Sequence, residues 1–178
     1  MKIAVINRGV VGSGKSSFAQ MLQQVAAELK LTCNIHNTDE YFMEDGEYKF
    51  DFTKLGINHK RNFNAFVNSL KLGLNVVVCD NTNTTAKEYK RYVNEAKEHG
   101  YSVVSVVFIP DNWEVHNERN SHNVPEEVIG QMIHRLNNNL KTAEVDYEIK
   151  FKPNAPYHKF SERLKFLADE VLVKGDNE

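Results

Sequence analysis

The sequence predicts an α/β domain with a mostly parallel sheet covered by helices on both faces. Apolar runs at residues 3–6, 76–79 and 103–109, the last interrupted by Ser105, have the character of parallel strands buried on both faces. Between these runs lie segments whose apolar residues recur at i, i+3, i+4 and i+7, the spacing of a helix with one buried stripe. Residues 9–16, GVVGSGKS, join the first apolar run to the first helical segment and fit the pattern G-x-x-x-x-G-K-[ST] completely.

Taken in order, the chain alternates strand and helix. After the apolar strand 3–6 and the glycine-rich loop, Phe18, Met21, Leu22, Val25, Ala26 and Leu29 mark a helix over 16–29. Residues 33–36 read as a second strand running into Thr38-Asp39-Glu40-Tyr41-Phe42, and residues 43–58 read as loop, with acidic Glu44, Asp45 and Glu47. Phe63, Phe66, Val67 and Leu70 give a helix closed by Gly73. The strand 76–79 ends in Asp80-Asn81-Thr82-Asn83, and Tyr89, Tyr92, Val93 and Ala96 mark a helix that stops at Gly100. The strand 103–109 is stopped by Pro110. A polar segment over about 111–124 follows, then a helix after Pro125 carrying Ile129, Met132, Ile133, Leu136 and Leu140. The final strand is supplied either by residues 145–151, which alternate like an edge strand, or by the apolar series Phe160, Leu164, Leu167 and Val171. This alternation implies right-handed βαβ units.

Composition sets limits. A length of 178 residues suits one domain, with 152–178 as a C-terminal extension, and 41% hydrophobic with 26% charged residues describes a globular chain. No stretch approaches the ~20 apolar residues of a membrane span, and the first strand is too short for a signal-peptide core, so a cytoplasmic protein without membrane contact is expected. Cys33 and Cys79 lack metal-ligand spacing and read as small buried hydrophobes. A net charge of −2 offers no broad basic field for long nucleic acid, so any nucleic-acid substrate would be met through a short contact with its end.

The loop defines the chemistry. Gly9, Gly12 and Gly14 allow successive N–H groups to converge on phosphate oxygens, and the helix N-terminus that follows favours an anion. The expected nucleotide-binding set is Gly9, Gly12, Ser13, Gly14, Lys15, Ser16 and Ser17, with Lys15 as the charge at the β- and γ-phosphates. Ser16 is placed to reach Mg²⁺, and Asp80, at the end of an apolar strand, to hold the same ion. Asp39, at the end of the second strand, is the candidate base for a hydroxyl acceptor, while Glu40 is expected to point elsewhere. The 111–124 segment is a candidate lid, with Arg119 as the cation that closes on the transferring group. Arg135 is a weaker second cation, and His116, His122 and His134 read as polar surface or lid residues.

With these residues placed, the chain resembles the polynucleotide 5′-hydroxyl kinase branch of the P-loop kinases, and more closely the stand-alone kinase-like ATP-binding domains. The resemblance rests on the loop, Thr38-Asp39-Glu40-Tyr41-Phe42, Tyr48-Lys49-Phe50-Asp51, His59, Asn62, Asp80-Asn81-Thr82-Asn83, and Arg119-Asn120-Ser121-His122-Asn123-Val124-Pro125, in unbroken order over about 1–140. It implies a three-layer P-loop NTPase fold whose five-stranded sheet has the adenylate-kinase-like order 2-3-1-4-5. It also implies ATP and Mg²⁺, Asp39 as general base, Arg119 on the ATP phosphates, and either Asp80 or Asn81 beside the metal and acceptor. Three positions depart from the family. Val11 replaces a common proline, which should loosen the loop a little, Phe42 replaces an arginine that grips an acceptor phosphate, and Asn123 replaces a second lid arginine.

Three functions follow. The first is a phosphotransferase moving the γ-phosphoryl of ATP to a hydroxyl, foremost the 5′-hydroxyl of RNA, DNA or a nucleotide. The second is a kinase of a small metabolite or nucleotide sugar, of gluconate or zeta-toxin type, which the acidic 43–51 loop and the missing arginine favour. The third is an ATP-binding regulatory module without transfer, against which a retained Asp39 argues.

Overall fold

A computed structural model describes residues 2–152. Five strands form one parallel sheet: β1 (Ile3–Arg8), β2 (Cys33–His36), β5 (Val76–Cys79), β6 (Ser102–Phe108) and β7 (Tyr147–Phe151), with spatial order β2-β5-β1-β6-β7. Counted among these five alone, the order is the expected 2-3-1-4-5. Residues 147–151 supply the final edge strand, and the apolar series Phe160 to Val171 lies outside the described residues. A two-stranded hairpin, β3 (Met43–Glu44) and β4 (Glu47–Tyr48), stands apart from the sheet.

The two-residue period of the strands sorts the core into two layers. Ile3, Val5, Val76, Val78, Val104 and Val106 face α1 (Lys15–Glu28), whose Phe18, Ala19, Leu22 and Ala26 cover them. Ala4, Ile6, Val77, Cys79 and Val103 face the other way, onto Phe66 and Leu70 of α2 (Leu55–Lys71) and Tyr89, Tyr92, Val93 and Ala96 of α3 (Ala86–Glu98). Beyond them, α5 (Glu126–Asn137) places Leu136 on Val10 and Val107. The short α4 (Trp113–Glu118) lies within the 111–124 segment. Helix α3 starts at a capping box in which Thr85 and Glu88 satisfy each other's backbone N–H groups. No helix among the described residues is long and apolar enough to cross a membrane.

Two expectations change. The first strand does not stop at Ile6: Asn7 and Arg8 continue it, both fully buried. Arg8 remains inside because Nε donates to the Asn83 carbonyl (2.9 Å), Nη1 to Thr142 Oγ1 (2.8 Å) and Nη2 to the Asn139 carbonyl, with the guanidinium over the Tyr89 ring (4.6 Å). A polar residue ended the sequence pattern, yet tertiary partners keep it in the strand. Residues 43–58 are not loop throughout. Asp45 and Gly46, both at positive φ, turn the hairpin, Asp51 caps a short 3₁₀ helix (Phe52–Lys54), and α2 begins at Leu55, with Gly56 in its first turn. The helix starts earlier than its first aromatic because Asn58 and Asn62 carry the buried face there, and apolar spacing does not register them.

Arg8→Leu leaves three acceptors facing an apolar side chain, so a loss of about 2–4 kcal/mol is expected, read as a lower urea midpoint at unchanged slope. His36, buried at the end of β2 beside Ser69 Oγ (3.0 Å), has its imidazole pushed down to about 4 by burial. Its folded pKa lies below the unfolded value, so the folded state refuses a proton that the unfolded state takes. Stability should therefore fall as pH drops from about 6.5 towards 4, and the slope should be shallower in His36→Gln.

Candidate active site

All five parallel strands present their carboxyl ends on one side, and there a cleft of about 1410 Å³ opens. Its walls come from the glycine-rich loop, the segments after β2 and β5, the 111–124 segment and the start of α5.

The loop leaves β1 at Arg8 and enters α1 at Lys15. Gly14, at φ 90°, is the N-cap of α1, a backbone state that excludes most side chains. Gly12 is constrained twice, by φ 66° and by space: a Cβ there would sit 2.8 Å from the His116 carbonyl oxygen and 2.9 Å from Arg119 Cβ. The loop is tied to the segment after β5 by Gly9 N–H donating to the Thr82 carbonyl (2.8 Å). Lys15, only 8% exposed, has its ammonium donating to the Val10 carbonyl (2.8 Å) and Ser13 Oγ (3.4 Å). Burial lowers its pKa, and the charges of Asp80 and Asp39 partly oppose that shift. Ser13, Ser16 and Ser17 line the same cleft.

Asp80 is buried, and Asn7 Nδ2 donates to its Oδ1 at 2.9 Å. Asn81 turns the other way, accepting from the Thr38 backbone N–H (3.0 Å) and donating to Tyr92 Oη (3.4 Å), so it ties the end of β5 to the segment after β2. Of the two, Asp80 is the one that stands against Lys15.

Asp39 sits on a 3₁₀ helix (Thr38–Phe42) capped by Asn37, whose side chain accepts from Asp39 N–H (2.8 Å). Its carboxylate is about 44% exposed, with Tyr48 Oη donating to Oδ1 (3.5 Å) and His122 Nε2 lying 3.7 Å from Oδ2. Burial pushes the Tyr48 phenol up to about 12, and the negative charge of Asp39 adds to the shift. Glu40 is exposed and does not line the cleft.

Several residues differ from expectation. His116 is not a surface group: it is 3% exposed, and its Nδ1–H donates to the Val11 carbonyl (3.0 Å) while Nε2 accepts from Asp111 N–H (2.9 Å). Those two bonds fix the neutral tautomer, and burial holds its pKa below the usual range. The carbonyl of Val11 is thus clasped to α4, so the loss of proline is offset there. Phe42 is 2% exposed and packs on Phe50 and Tyr48 (ring centroids 5.2 and 6.1 Å), so it anchors the hairpin and does not face an acceptor. In the acidic loop Glu44 pairs with Lys54 (2.9 Å) and Asp51 caps the 3₁₀ helix, while Asp45 and Glu47 are exposed. His59 bonds Thr38 Oγ1 (3.2 Å), and Asn62 donates to Tyr92 Oη (3.2 Å). Arg119, at the end of α4, is exposed and lines the cleft, and among the described residues no hydrogen bond or ion pair holds its guanidinium. Arg135 also lines the cleft, while its Nε is bonded within α5 to the Gln131 carbonyl (3.3 Å). No group of three or more His, Cys, Asp or Glu able to hold a metal occurs among the described residues. Cys33 and Cys79 are both free thiols. Burial raises them to about 11 and about 12, which suits small hydrophobes.

A family model described as an AAA domain matches residues 5–138, a stretch that contains the loop, Asp39, Asp80 and Arg119. The chain belongs to that family of P-loop kinase-like AAA domains. Human NEDD4-binding protein 2 is 35% identical to this AAA domain over 136 residues, 74% of the chain, and the chain spans 7% of that protein's length. A fungal RNA kinase shares the fold at TM-score 0.62 and 15% identity, over 96% of this chain and 44% of that one. The Mycobacterium tuberculosis APS kinase CysC, in complex with AMPPNP and APS, does so at TM-score 0.60 and 13% identity, over 96% and 97%.

Replacing His116 with Phe removes the clasp and strands the Val11 carbonyl and the Asp111 N–H. The expected result is a loss of about 1–3 kcal/mol in stability with several-fold weaker ATP binding, measured by denaturation and by calorimetric titration.

Proposed function

We propose that the protein is an ATP- and Mg²⁺-dependent phosphotransferase acting on a hydroxyl acceptor, foremost the 5′-hydroxyl of a polynucleotide or nucleotide, in the cytoplasm. One observation carries the reading: a buried ammonium, Lys15, and a half-exposed carboxylate, Asp39, line one cleft, and the charge of one is felt by the other. A binding module needs the first group but not the second. The two free thiols agree with a reducing compartment.

The loop suits a triphosphate. A cation with only a carbonyl and a hydroxyl for partners is stabilised by an anion, and Gly12 and Gly14 leave the backbone open to one. The Ser16 hydroxyl and the Asp80 carboxylate are hard oxygen donors, too few to cage a metal but suited to an ion that keeps waters and phosphate oxygens, as Mg²⁺ does. Bound there, Mg²⁺ would add positive charge at the β- and γ-phosphate oxygens. In our reading Asp39 takes the proton of the acceptor hydroxyl, whose oxygen bonds to the γ-phosphorus as the bond to the bridging β-γ oxygen breaks and ADP leaves. Lys15 stabilises charge on the phosphates, and Arg119, unpaired on the cleft wall, closes on the transferring group.

The polynucleotide acceptor is supported by the ordered motifs and by the RNA kinase that shares the fold. The alternative, a small acceptor such as a metabolite or nucleotide sugar, is favoured by Phe42, which leaves no cation at its position to grip an acceptor phosphate. The APS kinase likeness admits it equally at the level of fold.

Labelled ATP with Mg²⁺ against 5′-hydroxyl RNA, 5′-hydroxyl DNA, a nucleoside and sugar panel, and no acceptor distinguishes the readings. Label on an oligonucleotide 5′ end supports the first, label on a small molecule the second, and tight ATP binding without product a regulatory module. Lys15→Ala and Asp39→Asn should each lower transfer by roughly 100-fold or more, with Asp39→Asn still binding ATP. Full turnover by Asp39→Asn would remove the base from the reading.

A further inference from the structure

The contact between the 119–124 segment and the β3–β4 hairpin is made over Asp39. The His122 and Tyr48 rings pack in a tilted contact with centroids 4.2 Å apart at an interplanar angle of 47°. Tyr48 Oη donates to one carboxylate oxygen of Asp39 (3.5 Å), and His122 Nε2 faces the other from 3.7 Å, within ion-pair range but beyond a hydrogen bond. His122 Nδ1 is buried and has no hydrogen-bond partner among the described residues, which leaves Nε2 as the nitrogen that carries its hydrogen towards the carboxylate. Both elements hold their shape independently of Asp39. Asn120 Nδ2 donates to the Val124 carbonyl (2.7 Å) and its Oδ1 accepts from Val124 N–H (3.1 Å), and Phe42 anchors Tyr48 from beneath. Among the described residues no hydrogen bond other than that from Tyr48 reaches the Asp39 carboxylate, so Tyr48 and His122 are the side chains that set its rotamer.

We propose that His122 and Tyr48 are positioning residues for Asp39, holding one carboxylate oxygen each, so that the segment bringing Arg119 to the donor also readies the base for the acceptor. The inference rests on the proposed role of Asp39. Arg119 and His122 lie three residues apart on one segment, and when that segment is withdrawn Asp39 loses one of the two side chains that face its carboxylate. Base orientation and closure over ATP are thereby coupled, which disfavours transfer to water when no acceptor is in place.

The groups facing Asp39 are Tyr48 from β4, His122 from the loop, and, through their charges, Lys15 from α1 and His59 from α2. Transfer kinetics of wild type, His122→Ala, His122→Gln, Tyr48→Phe and Asp39→Asn, with folding checked by thermal unfolding, test the proposal. His122→Ala and Tyr48→Phe should lose about 10- to 100-fold in kcat with little change in KM for ATP, and hydrolyse more ATP per transfer. His122→Gln, which keeps an N–H donor, should recover most of the rate. Tyr48→Phe conserves volume and decides the matter if His122→Ala fails to fold. Wild-type kcat and an unchanged ratio of ATP hydrolysis to transfer in both variants, with Asp39→Asn inactive, would overturn this proposal alone. A fully active Asp39→Asn would overturn the base assignment, and this proposal with it.

Discussion

The ammonium of Lys15 is withdrawn from water and held by a backbone carbonyl and a serine hydroxyl, neither of which neutralises it. A buried cation in that state is costly unless charge is nearby, and the surrounding site supplies it at a distance through Asp80 and Asp39. Much of the neighbourhood can be understood as support for this arrangement. Asn7 orients Asp80, Thr82 fastens Gly9, and His116 fastens Val11 to α4. Gly12 lets the loop and the end of α4 approach more closely than any side chain would permit.

The fold itself follows from simpler forces. Strands with apolar residues on both faces need a helix layer on each, and the alternation of Val, Ile and Ala along β1, β5 and β6 provides two inner surfaces. Parallel pairing then collects every strand's carboxyl end on one side, so residues far apart in sequence, such as Asn7, Asp39 and Asp80, meet without any special device.

How much of this could be read from the chain depends on what kind of force places each residue. The glycine-rich loop, the three apolar strands and the helices with regular apolar stripes were legible because local pattern and tertiary burial agree there. Arg8 was not, since a charged residue is buried only when its partners, Asn83, Asn139 and Thr142, are known, and these lie more than seventy positions away. The start of α2 was hidden because asparagines carry its buried face. His116 was misread because a polar residue in the 111–124 segment suggested the surface or a lid, whereas bonding to Val11 puts its side chain inside; for Phe42 the sequence showed only the missing arginine and not the packing against Phe50. Tyr48 and His122 could be noticed only as letters of a motif, because their meeting over Asp39 is a property of two segments folded together.

The hairpin β3–β4 pairs only with itself, through Met43 with Tyr48 and Glu44 with Glu47, and takes no part in the five-stranded sheet. The wall of the cleft that it builds is therefore an appendage to the sheet, fastened by Phe42 and by the Glu44–Lys54 pair. Insertions, deletions or wholesale exchange of that appendage leave the strand register and the glycine-rich loop untouched. A scaffold made this way can reshape one wall of its cleft by rewriting one short excursion of the chain, while the sheet and the glycine-rich loop keep their arrangement.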